Sequence, residues 1–415
     1  MMNVKEKIRV GICGGGPGGG ILALTLGKLG GYQVTVLEKG PDLQGGYKID
    51  FRGSAIQVLE RLNIYDTVRK NQTSYKAATV TTDSGSVTME ADISGSRSGA
   101  DLEVMRGLFC QAICNAAEST GNVKYQFSQS IESISEHSNQ VQVKLTNGKE
   151  QQFDLLVGAD GLHSQVRKLV FEKGSPLPKF THNLGVSICY VETNENLLPK
   201  DEEEVEFIGL GRYVAAFNVP GHGTIVSFAF PSETADKSSQ RNADALKNLL
   251  TEKYGTDRIM WPMMPKILDA VKKAPGKNFH FSEATQVRMP EWSKGRVVLI
   301  GDAAACPSPL TGQGGSIAVL SAYILARELF NASGDCGKAY PAYQKSLSEF
   351  VVKNQKLADV NIELLKDDQS LKARAIGFAM THIPPWFAYY IKKILSARIG
   401  TAANNLELGN HLPFD

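Results

Sequence analysis

Gly14-Gly15-Gly16-Pro17-Gly18-Gly19 follows an apolar run, Ile8 to Cys13, and leads into a helical pattern, Ile21 to Leu29. The glycines at 14, 16 and 19 stand in the frame G-x-G-x-x-G. Gly14 permits a tight strand-to-helix turn. Gly16, without a Cβ, lets a pyrophosphate approach the backbone, and Gly19 lets the helix lie close on the sheet. The unpaired N–H groups and positive end of the helix then face the phosphates. A second run, Gln33 to Leu37, ends in Glu38, about twenty residues past the last glycine. A carboxylate there accepts hydrogen bonds from the hydroxyls of an adenosine ribose. The stretch reads as the opening of an α/β domain that holds an adenine dinucleotide, and it does not separate FAD from NAD. A nucleotide-free turn with a surface glutamate is the competing reading.

The chain has 415 residues, enough for two or three domains. Lysine and arginine number 45 and aspartate and glutamate 43, a balance that argues against binding nucleic acid through phosphate neutralisation. Six cysteines are scattered without C-x-x-C pairs, so neither disulfides nor a structural metal is expected. Cys110 and Cys114, one helical turn apart, read as a buried face. The polar start, Met1 to Arg9, carries no leader-peptide pattern, and no uncharged apolar run approaches the ~20 residues that span a bilayer. The expectation is a cytoplasmic monomer without stable membrane insertion.

Further along, Ala77 to Glu90 alternates around Ser84-Gly85 and reads as a hairpin. Phe153 to Val157 reads as a strand running into Gly158-Ala159-Asp160-Gly161, with Ser164 placed to cap the next helix. Residues 185–230 are strand-rich and lack phosphate-binding glycines, so they read as a separate sheet. A fully apolar strand then ends in Gly301-Asp302. Pro307, Pro309 and Gly312-Gln313-Gly314-Gly315 follow and open a long helix, Ser316 to Phe330. Those amides form a second helix N-terminus suited to an electron-rich oxygen. An N-capped helix after a proline-rich turn is the plainer alternative. The last part is helical, with an aromatic stripe over Ser370 to Ile399 broken at Pro384-Pro385. That stripe is read first as core packing, with a lid or a basic membrane-surface helix as alternatives.

Three motifs thus stand in order: the first glycine frame with Glu38, Asp160-Gly161 with Arg167, and Gly301-Asp302 with Pro309 and Gly312-x-Gly314. As a set, over about residues 8–330, they resemble the class A FAD-dependent aromatic hydroxylases. The resemblance implies a Rossmann-like α/β FAD domain built from 1–75, 101–182 and 282–335. An interposed antiparallel sheet, 76–100 and 183–281, would roof the substrate, and helices over 336–415 would follow. It implies FAD contacts at Gly14, Gly16, Pro17, Gly18 and Gly19, and at Glu38 with Lys39 on the ribose. Arg106 and Asp160 would serve the pyrophosphate region, and Asp302 with Pro309 the ribityl or pyrophosphate portion. Gly312, Gly314 and Gly315 would face the flavin pyrimidine edge. One position departs from the family: Ala305, followed by Cys306, stands where members commonly carry histidine.

Gly45-Gly46-Tyr47-Lys48-Ile49-Asp50-Phe51, the Cys306-Pro-Ser-Pro-Leu-Thr-Gly stretch and the added C-terminal helix resemble the tetracycline-inactivating flavin monooxygenases. In that branch Asp50 would reach the flavin ring, and a helix over 370–399 bearing Phe378 and Trp386 would close the substrate cavity. Arg212 and Phe217 in the roof are candidate substrate contacts, with a surface charge and a core aromatic as their alternatives. The implied reaction consumes NADPH, or NADH, and O₂. The flavin hydroperoxide carries the chemistry, so no catalytic side chain and no metal is nominated. The alternatives are a hydroxylase or epoxidase of another aromatic, polyketide or quinone precursor, and an FAD-dependent isoprenoid reductase.

Overall fold

A computed structural model of the chain describes residues 6–46, 48–73, 77–82, 85–90, 101–175, 178–198, 203–209, 211–219, 223–232, 242–255, 262–365 and 404–414. The expected helix over 370–399, with Phe378 and Trp386, lies outside these residues.

In chain order the elements begin with β1 (Ile8–Cys13), α1 (Pro17–Leu29), β2 (Tyr32–Leu37), β3 (Lys48–Phe51), α2 (Ser54–Arg61) and α3 (Tyr65–Arg69). Then come β4 (Ala77–Thr82), β5 (Gly85–Glu90), β6 (Leu102–Met105), α4 (Arg106–Glu118), β7 (Val123–Gln126), β8 (Ile131–Glu136), β9 (Val141–Leu145) and β10 (Glu150–Phe153). Next are β11 (Leu155–Gly158), α5 (Gln165–Val170), β12 (Thr181–Glu192), β13 (Glu203–Gly209), β14 (Arg212–Val219) and β15 (Gly223–Pro231). The described elements end with α6 (Ala243–Tyr254), α7 (Met264–Lys273), β16 (Phe279–Val287), β17 (Ser293–Lys294), β18 (Val297–Leu299), α8 (Asp302–Ala305), α9 (Gly314–Asn331) and α10 (Cys336–Leu365).

β1 sits inside a six-stranded sheet of order β17-β18-β11-β1-β2-β7, parallel except for the edge strand β17. A parallel sheet is covered on both faces, and Val10, Ile12, Val34 and Val36 are accordingly fully buried. A Cβ on Gly18 would lie 3.3 Å from the carbonyl oxygen of Ala318, so the glycine lets α1 cross close to α9. The carboxyl ends of β1, β2, β11 and β18 all finish on one edge. The chain order reverses there, which is where open α/β sheets take their ligands.

One expected strand divides. The pattern over Phe153–Val157 breaks at Asp154, whose carboxylate accepts from the Arg9 backbone N at 2.8 Å and from Arg9 Nη2 at 2.7 Å. β10 pairs antiparallel with β9 on one side of this break, and β11 pairs parallel with β1 on the other. The stretch at Lys48–Phe51 is a strand paired antiparallel with β6.

The strand-rich region forms a second sheet of order β16-β12-β15-β14-β13-β4-β5. The expected hairpin is its edge pair, β4 and β5. One face of this sheet packs Phe207, Phe228 and Phe230 against Leu250, Tyr254 and Ile267 of α6 and α7. The other face sets Ile188, Ala229, Tyr190 and Tyr213 against Ala358 and Ile362 of α10 and against Leu310. All six cysteines are thiols, and Cys110 and Cys114 lie on the buried side of α4. Among the described residues no helix is long and apolar enough to cross a membrane.

Candidate functional site

The first glycine loop is shaped by backbone packing. Gly14 has φ +104°, and a Cβ there would lie 2.5 Å from the carbonyl oxygen of Ala159. A Cβ on Gly19 would collide with the Gly14 carbonyl. Gly16 differs, since its nearest neighbour is Arg106 Nη2 at 3.4 Å, so its open side faces a guanidinium. The N-terminus of α1 has no side-chain cap and no acidic residue in its first turn. Such an end presents free N–H groups and partial positive charge to an anion. Beside it, the Glu38 carboxylate accepts from Gly15 N at 2.7 Å and from Gly40 N at 2.8 Å. These bonds hold the carboxylate at the tip of β2.

Arg106 opens α4 and lies between two glycine loops. Its Nη1 is 3.3 Å from where a Cβ on Gly46 would be, and Gly46 has φ +90°. Its charge also reaches Asp302, the first residue of α8. Asp302 Oδ1 is sealed from solvent and has no hydrogen-bond partner among the described residues. Loss of hydration pushes this carboxyl above the usual carboxylate range, and Arg106 and Arg167 oppose the shift. An orphaned buried acceptor is costly, which fits a ligand hydroxyl donated to it. Cys306 lies beside Asp302 and donates its thiol to Thr285 O at 3.5 Å. Burial and then the Asp302 charge push the thiol well up, so it stays protonated.

The second glycine loop faces Asp302. A Cβ on Gly314 would meet only Asp302 Oδ1, at 3.9 Å. Like α1, α9 begins without a side-chain cap or an acidic first turn. β3 lies against this loop, since a Cβ on Gly315 would be 2.7 Å from the carbonyl oxygen of Asp50. Asp50 Oδ2 accepts from Arg52 Nη2 at 3.0 Å, and that same nitrogen is 3.2 Å from the Cβ position of Gly312. Arg52 N donates to Ser316 Oγ at 3.0 Å. Pro309 starts the short turn before Gly312, and Leu310 of that turn packs on the same cluster of Ile188, Ala229, Ala284, Ala358 and Ile362 that Tyr190 and Tyr213 pack on.

Asp160 has a more local task than the motif implies. Its carboxylate accepts from Ser164 Oγ at 2.5 Å, Gln165 N at 2.7 Å and Val166 N at 3.1 Å. It is spent on the start of α5, where Ser164 caps Arg167 N as expected. Any contribution to a ligand therefore comes through the loop that Gly14 touches. His163 in that loop shares its surroundings with Lys168, Arg167 and Lys39. Partial desolvation and then these cations lower its pKa, so it is neutral near pH 7 while the lysines supply positive charge.

The two roof candidates do not share a face. Arg212 alternates with Val214 and Ala216 towards α6, and its charge acts on Tyr254. Phe217 points the other way and is 4% exposed. It packs with Val219, Ile225 and Met105, and Lys48 Nζ lies 4.2 Å from its ring centroid. Lys48 also bridges Glu103 at 3.2 Å and Glu204 at 3.0 Å, so one ammonium ties β3 and β6 to the roof strand β13.

Sequence reading missed Arg52, Lys48, Glu103 and the structural role of Arg167. Arg52 had a signal, because a period of two from Asp50 along β3 puts both on one face. Arg167 is 1% exposed, and its guanidinium donates to Ala303 O at 3.0 Å and Leu162 O at 2.7 Å.

The cleft therefore has two uncapped helix starts, one at each end, with a buried acceptor between them. That fits a long dinucleotide with two phosphates and a polyol link. A family model described as FAD binding domain matches residues 7–340. An uncharacterized protein of Mycobacterium tuberculosis (strain ATCC 25618 / H37Rv) is 33% identical over 341 residues, covering 80% of this chain and 88% of the relative. A flavin-dependent monooxygenase from an unknown prokaryotic organism is 32% identical over 354 residues, covering 83% of this chain and 86% of the relative. The crystal structure of tetracycline destructase Tet(55) superposes with a TM-score of 0.78 at 28% identity, covering 99% of this chain and 100% of that one. The chain belongs to the FAD binding domain family and is an FAD-dependent monooxygenase of the aromatic hydroxylase type.

Proposed function

We propose that the protein draws electrons from NADPH and inserts one oxygen atom of O₂ into a polycyclic aromatic substrate, tetracycline being the best-supported candidate. The observation that carries the reading is the pair of uncapped helix starts, α1 and α9, flanking the orphaned Asp302 Oδ1 beneath the second sheet. The tetracycline assignment is supported by similarity to tetracycline destructases Tet(55) and Tet(51), at 28% and 26% identity over nearly the whole chain. In this reading 1–75, 101–182 and 282–335 form the FAD domain, and 76–100 with 183–281 form the substrate roof.

When bound, FAD supplies the electron and oxygen chemistry. The amides of Gly16, Gly18 and Gly19, with Arg106, would neutralise its pyrophosphate. Glu38 takes the adenosine ribose, and Asp302 accepts a ribityl hydroxyl. The N–H groups of Gly314 and Gly315 would stabilise negative charge at the pyrimidine edge, since those of Gly312 and Gln313 donate to Pro309 O at 3.2 Å and Thr311 Oγ1 at 3.2 Å. Tyr190 and Tyr213, the half-buried aromatics on the same sheet face as Ile188 and Ala229, would help keep water from the reacting atoms. Lys39 and Lys168, whose charges both act on His163, would draw in the phosphates of NADPH.

The direct test is anaerobic mixing of the FAD-loaded protein with NADPH, and in parallel with NADH. Bleaching of the flavin absorbance, faster with tetracycline present, is expected. A flavin that stays oxidised with both nicotinamides, even at saturating tetracycline, contradicts the reading.

A further inference from the structure

The tail, residues 404–414, lies against the cofactor cleft. Residues 404–414 run along α2, α9 and α1. Gln313, 1% exposed, donates from Nε2 to Asn404 Oδ1 at 2.9 Å. Gly53 has φ +52°, and any Cβ there would collide with the carbonyl of Asn404. Ser54 Oγ donates to Leu406 O at 2.8 Å and accepts from Leu406 N at 2.8 Å. Arg327 donates from Nη1 to the carbonyl of Leu408. Leu408 and Leu412 are each 3% exposed and join the main core.

The place these bonds meet is specific. Gln313 stands between Gly312 and Gly314 and is the N-cap residue of α9, yet its side chain makes no cap bond. It is turned to the tail instead. Gly53 and Ser54 directly follow Arg52, which holds Asp50 and Ser316. The tail thus touches both walls of the gap between the Asp50–Arg52 pair and the second glycine loop. Gln313 N donates to Thr311 Oγ1 at 3.2 Å and its carbonyl accepts from Ile317 N at 3.0 Å, while the glycines on either side impose little backbone preference of their own.

We propose that Asn404 is a positioning residue of the cofactor site, orienting the Gly314 and Gly315 amides through its hydrogen bond to Gln313. The proposal rests on the reading that these amides take the flavin pyrimidine edge. Asn404 touches no ligand; it sets the direction of the N–H groups that do. One side-chain hydrogen bond is worth about 1 kcal/mol to stability, but misdirected amides weaken every contact they make to a bound anion.

The test uses the full-length protein and FAD itself. Asn404→Ala removes the acceptor, and Asn404→Asp keeps one. Dissociation of FAD is followed by flavin fluorescence, the flavin environment by the visible absorption spectrum, and the fold by thermal unfolding of the apoprotein. Asn404→Ala is expected to bind FAD about tenfold more weakly with a shifted visible spectrum, while its apoprotein midpoint stays near wild type. Asn404→Asp is expected to restore both affinity and spectrum. Gly314→Val separates the two ideas, because a Cβ there meets only Asp302 Oδ1, at 3.9 Å, and the branched side chain would project where the loop amides face the ligand. If Gly314→Val binds FAD normally, the loop reading fails and the proposal falls with it. If Gly314→Val loses FAD while Asn404→Ala keeps wild-type affinity and spectrum, the proposal alone is overturned and the tail is a structural brace.

Discussion

Arg167 Nη1 donates to the carbonyl oxygen of Ala303 at 3.0 Å, joining α5 to α8 across 136 positions in the sequence. One buried guanidinium thus holds the loop after β11 against the helix that carries Asp302. Glu172 lies 3.6 Å from its Nε and partly offsets the cost of burying the charge. Arg167→Met should cost about 3 kcal/mol of stability and weaken FAD binding as well, because Asp302 loses its support. Urea unfolding and an FAD titration check this. A variant that unfolds earlier yet binds FAD normally would limit Arg167 to the fold.

Asp302→Ala removes the carboxylate whose Oδ1 has no partner in the described chain. Removing an unsatisfied buried group stabilises or leaves unchanged the apoprotein, whereas removing a ligand contact weakens the complex. The purified variant should therefore be colourless or pale, with an apoprotein midpoint at or above wild type. A fully yellow variant would place the hydroxyl contact elsewhere.

Gly14→Ala places a Cβ 2.5 Å from the Ala159 carbonyl at a φ of +104°. Strain and collision act together, and a loss of about 2–4 kcal/mol is expected. Gly16→Ala meets nothing closer than the Arg106 guanidinium at 3.4 Å, so it should cost little stability and mainly FAD affinity. Equal losses in both variants would contradict this division of labour.

Glu103 provides the pH dependence. Burial raises its carboxyl from 4.5 to about 7, opposed by Lys48 and by the Thr73 hydrogen bond, and reinforced by Asp50 and Glu204. The folded state therefore holds this proton more tightly than the unfolded chain. The stability it contributes is present below the ordinary carboxylate range and lost as pH rises through about 7. Compared with Glu103→Gln, wild type should lose on the order of 2 kcal/mol between about pH 5 and about pH 8. Urea midpoints of the two proteins at both values measure the gap, and a gap that stays constant would mean that Glu103 does not titrate there.

Local geometry was legible in the sequence and long-range geometry was not. The frame at Gly14, Gly16 and Gly19, Glu38 and the Ser164 cap follow from spacing over a few residues. The Asn404–Gln313 and Arg167–Ala303 bonds carry no period, because each joins segments that meet only after the sheet has assembled. Arg212 and Phe217 were paired as roof contacts although they lie an odd number of positions apart. A strand's period of two puts such residues on opposite faces, and it did. The split at Asp154 escaped notice because its cause, Arg9, lies 145 positions earlier in the chain, on a strand that comes beside Asp154 only once the sheet has assembled.

The measurement that bears most directly on the proposed reaction is turnover of tetracycline with NADPH under oxygen-18 gas, read by mass spectrometry. The account predicts loss of the drug's absorbance and a product carrying one labelled oxygen atom, in proportion to the NADPH consumed. Consumption of NADPH with the drug unchanged, or a product whose added oxygen comes from water, would contradict it.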